Sequence, residues 1–247
     1  MFCRIAMPRG VALYLKHIRP NVFFVRASLL PKKGEKIMTN TNTKNRPNKK
    51  KKKSVNAKTV KITMTAMLTA VAVVLQYIEV PIPIMPSFIK LDFSDLPELI
   101  GAFIIGPGAG VLIAFLKNII HLAVSQSGFI GELSNFILGG TFALSAGLIY
   151  KKMPNIKGAV IGGIAASVIM GVVSLPVNYF VIYPLYYSVM GFPKEAILQM
   201  YQLILPKTKS IAQALLIFNV PFTVVKGLIS AAVTTAVYKP LSKIKNL

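Results

Sequence analysis

Six apolar stretches follow one another between Thr59 and Tyr238, each stopped by proline, glycine or lysine, and this pattern leaves few folds open. A bilayer core asks for about 20 mainly apolar residues per helix, fewer where a helix is buried among its neighbours. The first stretch runs from about Thr59 to Ile78 and ends at Val80-Pro81-Ile82-Pro83-Ile84-Met85-Pro86, which cannot continue a helix. The second, roughly Leu96 to Ile105, is short and stops at Gly106-Pro107-Gly108. The third follows at once and reaches about Val124, before a turn at Ser125 to Gly128. The fourth covers Glu132 to Tyr150, the fifth runs from Gly158 to about Tyr183, and the sixth from about Ile211 to Tyr238. Residues Gly191 to Ser210 read as a loop. The expected fold class is an all-α membrane protein with six transmembrane helices and both termini cytoplasmic.

Composition supports the lipid bilayer as the solvent: 54% of residues are hydrophobic and 15% charged, with mean hydropathy +0.61, which argues against a soluble enzyme. The formal charge of +22 is unevenly placed, because sixteen of the 29 Lys and Arg lie at or before Lys58. Residues 1–58 therefore read as a basic, disordered extension, with the Lys-rich tract Arg46 to Lys53 unable to bury apolar surface. A topology signal holding this end in the cytoplasm is favoured over attraction to anionic lipid or nucleic acid, and no nucleic acid is expected as a partner. Lys32-Lys33-Gly34-Glu35 would be encoded by a purine-rich tract just ahead of Met38, which makes Met38 a candidate true start. Residues 59–240 form the expected six-helix domain, and 241–247 a short basic cytoplasmic tail. Lys151, Lys152 and Lys157, with Lys239, Lys243 and Lys245, agree with cytoplasmic termini. Lys194, Lys207 and Lys209 on the predicted outer side run against that rule, and the acidic Glu79, Asp92 and Asp95 fall outside. The lone Cys3 forms no disulfide within the chain.

A charge at mid-bilayer costs about 2.5 to 3.5 kcal/mol even on insertion scales, so Lys226 needs a reason. Asn219, Thr223 and Lys226, at i, i+4 and i+7, share one face of the sixth helix, and Ser230 extends it. Pro221 is expected to bend that helix where the polar face begins, and Pro176 to bend the fifth just before Asn178. Together they describe a pocket open to the outside, although an interhelical network that only holds the bundle is the alternative, above all for Asn178. Lys117 and His121 share a face of the third helix, with Glu98 and Glu132 as candidate partners, and a lone His is weak ground for a metal site. Tyr179, Tyr183, Tyr186, Tyr187 and Phe180 suit either stacking on a planar ligand or an interfacial aromatic belt. Gly162, Gly163, Ala165, Ala166 and Ser167 give the fifth helix a small surface, and Ala66 and Ala70 give the first a small-xxx-small face for another span or another subunit.

The segments Lys90-Leu-Asp-Phe-Ser-Asp-Leu-Pro97, Phe-Ile-Ile-Gly-Pro-Gly through Gly108, Leu116-Lys-Asn-Ile-Ile-His121, Gly131-Glu-Leu-Ser-Asn-Phe136 and Asn178-Tyr-Phe-Val-Ile-Tyr-Pro184 resemble the riboflavin-specific S components of energy-coupling-factor vitamin transporters. The resemblance runs in order from about Thr59 to Tyr238. It implies a subunit that binds riboflavin from outside without chemistry and joins a transmembrane coupling subunit and two cytoplasmic ATPases. It also implies that the Ala66 and Ala70 face meets the coupling subunit, and that Asn178 and Lys226 contact the flavin. A family Asn in the pattern Pro-Phe-Asn-x-x-Lys-Gly is replaced here by Thr223, and Asn219, one turn away, is a candidate to compensate. No Gly-x-x-x-x-Gly-Lys-Ser/Thr phosphate loop occurs, so any ATPase must be borrowed. No catalytic residue, metal or cofactor is expected, riboflavin being the transported ligand. The rival readings are another flavin or water-soluble vitamin, an assembly protein without a ligand, and an intramembrane enzyme, for which no nucleophile–base pair or carboxylate pair is arranged among the spans.

Overall fold

The computed structural model describes residues 56–86, 89–125 and 127–238. The extension up to residue 55, with the candidate start Met38, and the tail 241–247 lie outside the described residues. Helix α1 (Ala57–Tyr77) starts where the Asn56 side chain accepts from the Lys58 N–H at 3.0 Å. It ends ahead of the proline-rich segment, where β1 (Val80–Pro81) pairs antiparallel with β2 (Lys90–Leu91) in the register Val80 to Leu91. Next come α2 (Asp95–Ile104) and α3 (Pro107–His121), the latter prolonged by a 3-10 turn to Val124. Gly106 between them takes φ +139, which favours glycine, and Pro107 supplies the preset first turn of α3. Helix α4 is Ile130–Lys152 and α5 is Ile156–Val177, where the Gly158 N–H donates to the capping side chain of Asn155 at 2.9 Å.

Five helical stretches among the described residues are long and apolar enough to cross a membrane: Ala57–Tyr77, Pro107–Val124, Ile130–Lys152, Ile156–Val189 and Ile211–Ala236. The second expected span does not match them. Helix α2 has 10 residues, about 15 Å at 1.5 Å per residue and so about half of a bilayer core. The expected bends are also relocated. Helix α5 passes Pro176 and runs on to Val177; the irregularity is the π segment Asn178–Ile182, which ends two residues before Pro184 and leads into α6 (Tyr183–Val189). In the last span α8 (Ile211–Ala214) is followed by the π segment Leu215–Asn219, which ends two residues before Pro221 in α9 (Val220–Ala236). A proline offers no N–H to the carbonyl four residues back and crowds it, and a wider turn just ahead takes up the mismatch. Residues 191–210 are not a plain loop either: α7 (Lys194–Ile204) buries Ile197 and Tyr201.

Small residues let these helices approach. A Cβ on Gly110 would stand 2.8 Å from the Glu98 carbonyl oxygen and 2.9 Å from the Cβ atoms of Ala102 and Ala143, so α2, α3 and α4 meet at that glycine. Gly163 and Gly171 of α5 likewise sit against Ala231 and Val224 of α9. One apolar core forms around Leu99, Phe103, Phe142, Tyr150 and Met170, and another around Ile130, Ile182, Tyr183, Ile197 and Leu215. Outward faces carry large apolar side chains such as Ile62, Met67, Val172 and Val225, as a bilayer solvent requires.

Candidate ligand-binding site

The π segments turn Asn178 and Asn219 inward, and the regular helix after Pro221 carries Thr223 and Lys226 along the same face. All four line one cavity of about 490 Å³, a volume suited to a vitamin-sized ligand. Ile89, Val124, Leu138, Met170 and Phe222 give it apolar wall, and Tyr77, Tyr183 and Tyr186 give it ring faces. Of the aromatic residues singled out in the sequence, Tyr183 and Tyr186 are buried on this wall, whereas Tyr179 and Phe180 are exposed. Ala66 and Ala70 lie away from it, exposed on α1.

Lys226 owes its place to carboxylates. Its Nζ lies 3.0 Å from Asp92 Oδ2 and 3.4 Å from Asp95 Oδ2. Lys117 Nζ lies 2.7 Å from Glu98 Oε1 and 3.8 Å from Asp95 Oδ1. The Ser94 hydroxyl bridges the two halves, donating to Asp92 and accepting from Lys117. The expectation that Asp92 and Asp95 stand apart outside is thereby corrected: both are buried against α9, because a mid-helix lysine in an apolar bundle needs a counter-charge. Carboxylates do cluster among the helices, yet every one of Asp92, Asp95 and Glu98 faces a lysine. The candidate pairs Lys117 with Glu98 and His121 with Glu132 are both formed, the latter at 2.9 Å. Glu132 also accepts from the hydroxyls of Ser125 at 2.8 Å and Ser127 at 3.1 Å, which pins the turn between α3 and α4 at the cavity rim. Lys90 pairs with Glu79 at 2.6 Å on the same wall.

Asn219 is more constrained than its spacing indicates. Its Oδ1 accepts from the Tyr201 hydroxyl at 2.7 Å and its Nδ2 donates to the Tyr183 hydroxyl at 3.4 Å. The Tyr201 proton being so used, Tyr183 donates to Tyr201 across 2.5 Å, and the three groups close a ring. Burial pushes the Tyr201 hydroxyl well above its ordinary range, so it stays a donor. Asn219 keeps one N–H and one lone pair, less than a free amide has to make up for Thr223. Asn178 donates through Nδ2 to the Ser174 carbonyl at 2.8 Å. Asp92, Asp95, Tyr201 and Gln76 are site residues the spacing of spans did not point to. The signal for Tyr201 was present in Ile197, Tyr201 and Ile204 at helical intervals. Among the described residues no group of three or more His, Cys, Asp or Glu is placed to hold a metal ion.

A family model described as the substrate-specific component of ECF transporters matches residues 60–238. The chain belongs to this family. The riboflavin transporter RibU of Staphylococcus aureus (strain TCH60) is 32% identical to it over 177 residues, 72% of this chain and 87% of the relative. The riboflavin transporter FmnP of Bacillus subtilis (strain 168) is 29% identical over 176 residues, 70% of this chain and 87% of the relative. A solved structure, described as that of the S component of a bacterial ECF transporter, aligns with a TM-score of 0.60 at 32% identity, covering 76% of this chain and 98% of its own. As an ECF substrate-specific component the chain is a multi-pass bacterial membrane protein and part of a transporter, which fits its apolar helices and the cavity between them.

Proposed function

We propose that this chain captures riboflavin outside the cell and presents it to partner subunits for ATP-driven import. The observation that carries the proposal is the convergence of Asn178, Asn219, Thr223 and Lys226 on one cavity whose lysines, Lys90 and Lys226, are both matched by carboxylates. A cavity with compensated cations suits an uncharged ligand with a planar ring and a hydroxylated chain. Riboflavin has that chemistry, and two relatives carry its name. The ring packs against the tyrosine and aliphatic wall, while the amides, Thr223 and the carboxylate oxygens take its polar groups. The subunit binds and releases without chemistry, so it has no catalytic residue and uses no cofactor or metal.

The topology we propose keeps six crossings, with both termini cytoplasmic. Lys226 lies 15 residues beyond the start of the last span at Ile211, about 22 Å along a helix axis. Asp92 is within hydrogen-bonding distance of it. The chain from Glu79 to Ser94 therefore descends beside the cavity before α2 begins, and ten helical residues suffice for the remaining depth. Irregular backbone at that depth is tolerated because it is buried in protein and lines a cavity. The exposed Ala66 and Ala70 face of α1 docks a transmembrane coupling subunit, which joins the chain to two cytoplasmic ATPases.

Uptake tests both halves. In cells that cannot make riboflavin and lack their own importer, the chain with a coupling module should restore labelled riboflavin uptake. Ala66→Leu with Ala70→Leu should abolish that uptake while leaving binding by the purified protein unchanged. Uptake of another vitamin in place of riboflavin would contradict the assignment.

A further inference from the structure

Gln76 lies on the last turn of α1, 2% exposed, with its side chain on the cavity wall. The orientation of its amide follows from a chain of bonds. Asn118 Nδ2 donates to the Ala114 carbonyl at 2.7 Å, which leaves Asn118 Oδ1 to accept from Gln76 Nε2 at 3.0 Å. Turning either amide over, or both, would set two acceptors face to face, because the Ala114 carbonyl takes only donors. Gln76 Oε1 is consequently fixed as an acceptor, and it is buried with no hydrogen-bond partner among the described residues.

Buried polar atoms are nearly always partnered, and a buried orphan acceptor is unfavourable for the ligand-free protein. Along the same wall each carboxylate faces a cation: Asp92 and Asp95 face Lys226, Glu79 faces Lys90, and Glu132 faces His121 and accepts from two serines, although the Asp95 oxygens, like Gln76 Oε1, have no hydrogen bond among the described residues. A methionine would remove the orphan oxygen, though it would also take from Asn118 Oδ1 the donor that Gln76 Nε2 supplies. We infer that Gln76 reads the ligand, its carbonyl oxygen accepting a hydrogen bond from an O–H or N–H group of the transported molecule. Asn118 is the positioning residue that holds that oxygen toward the cavity. The inference rests on the cavity being the riboflavin site. Riboflavin presents two kinds of donor, the hydroxyls of its ribityl chain and the imide N–H of its ring.

The test is a fluorescence titration of purified full-length protein with riboflavin and with lumiflavin, which keeps the ring but lacks the ribityl chain. Gln76→Met should weaken riboflavin binding about tenfold, as the loss of one hydrogen bond to a buried acceptor does; because it also strips Asn118 Oδ1 of its donor, the ligand-free protein should melt somewhat lower while remaining folded. If the same loss appears with lumiflavin, the donor is the imide N–H; if lumiflavin binding is unchanged, it is a ribityl hydroxyl. Should Gln76→Met not fold, Asn118→Ala retains Gln76 but frees its amide, and it should weaken binding in the same direction. Riboflavin affinity within twofold of wild type in a folded Gln76→Met or Asn118→Ala protein would overturn the inference and assign the oxygen to water. Absence of riboflavin binding by the wild-type protein would instead overturn the functional reading on which it rests.

Discussion

Lys226 is the residue on which the proposed site depends, and its pairing makes its removal a stability experiment as well as a binding one. Lys226→Ala leaves Asp92 and Asp95 facing only Lys117 and Ser94. Breaking one side of a buried ion pair costs about 3 to 5 kcal/mol, so melting in detergent should show a large drop, and riboflavin binding should fall with it. Asn178→Ala should weaken binding without that drop, since Asn178 bonds only the Ser174 carbonyl within its own span. Binding unaltered in both variants would mean that the site lies elsewhere. At this scale the sequence was partly legible. The i, i+4, i+7 face of Asn219, Thr223 and Lys226 was visible because helical period is local. The counter-charges were not, because the 134-residue separation of Asp92 from Lys226 is closed only by tertiary packing.

Helices were legible where apolar length and proline or glycine punctuation agree, as in α1, α3, α4 and α5. The limits appear where backbone geometry departs from the regular helix. Proline marks a disturbance, but the disturbance falls in the turn before it, so Pro184 and Pro221 each follow a π segment while Pro176 is absorbed within α5. Helix α7 was hidden by its polar flanks and short apolar face. Close packing at this scale gives a contrast between two glycines of one helix. Gly110→Ala must push apart three helices whose atoms stand within 2.9 Å of the new Cβ, and it should cost about 1 to 3 kcal/mol. Gly108→Ala meets nothing within 4 Å, and its melting temperature should equal or slightly exceed that of the wild type. Equal melting temperatures for the two variants would mean that α2, α3 and α4 do not meet at Gly110.

In the whole molecule, one chain of apolar helices encloses a polar cavity, and every ion pair on its wall keeps the charge internal to the protein. The enclosure joins distant parts of the sequence: α1 brings Gln76, the segment before α2 brings Asp92, and the last span brings Thr223 and Lys226. Such a protein stores no energy of its own. On the proposed function, its part in transport is to bind selectively and to offer the exposed Ala66 and Ala70 face of α1 to a partner. The span count was legible only as six apolar runs; that one run is a half-length helix depends on the irregular segment that packs beside Lys226. The most direct measurement is a riboflavin titration of protein purified in detergent from vitamin-depleted cells, following flavin fluorescence, with thiamine and pantothenate as controls. The account predicts saturable quenching by riboflavin alone, at nanomolar to low micromolar concentration. A folded protein that leaves riboflavin fluorescence unquenched, or that binds a control vitamin in its place, would contradict it.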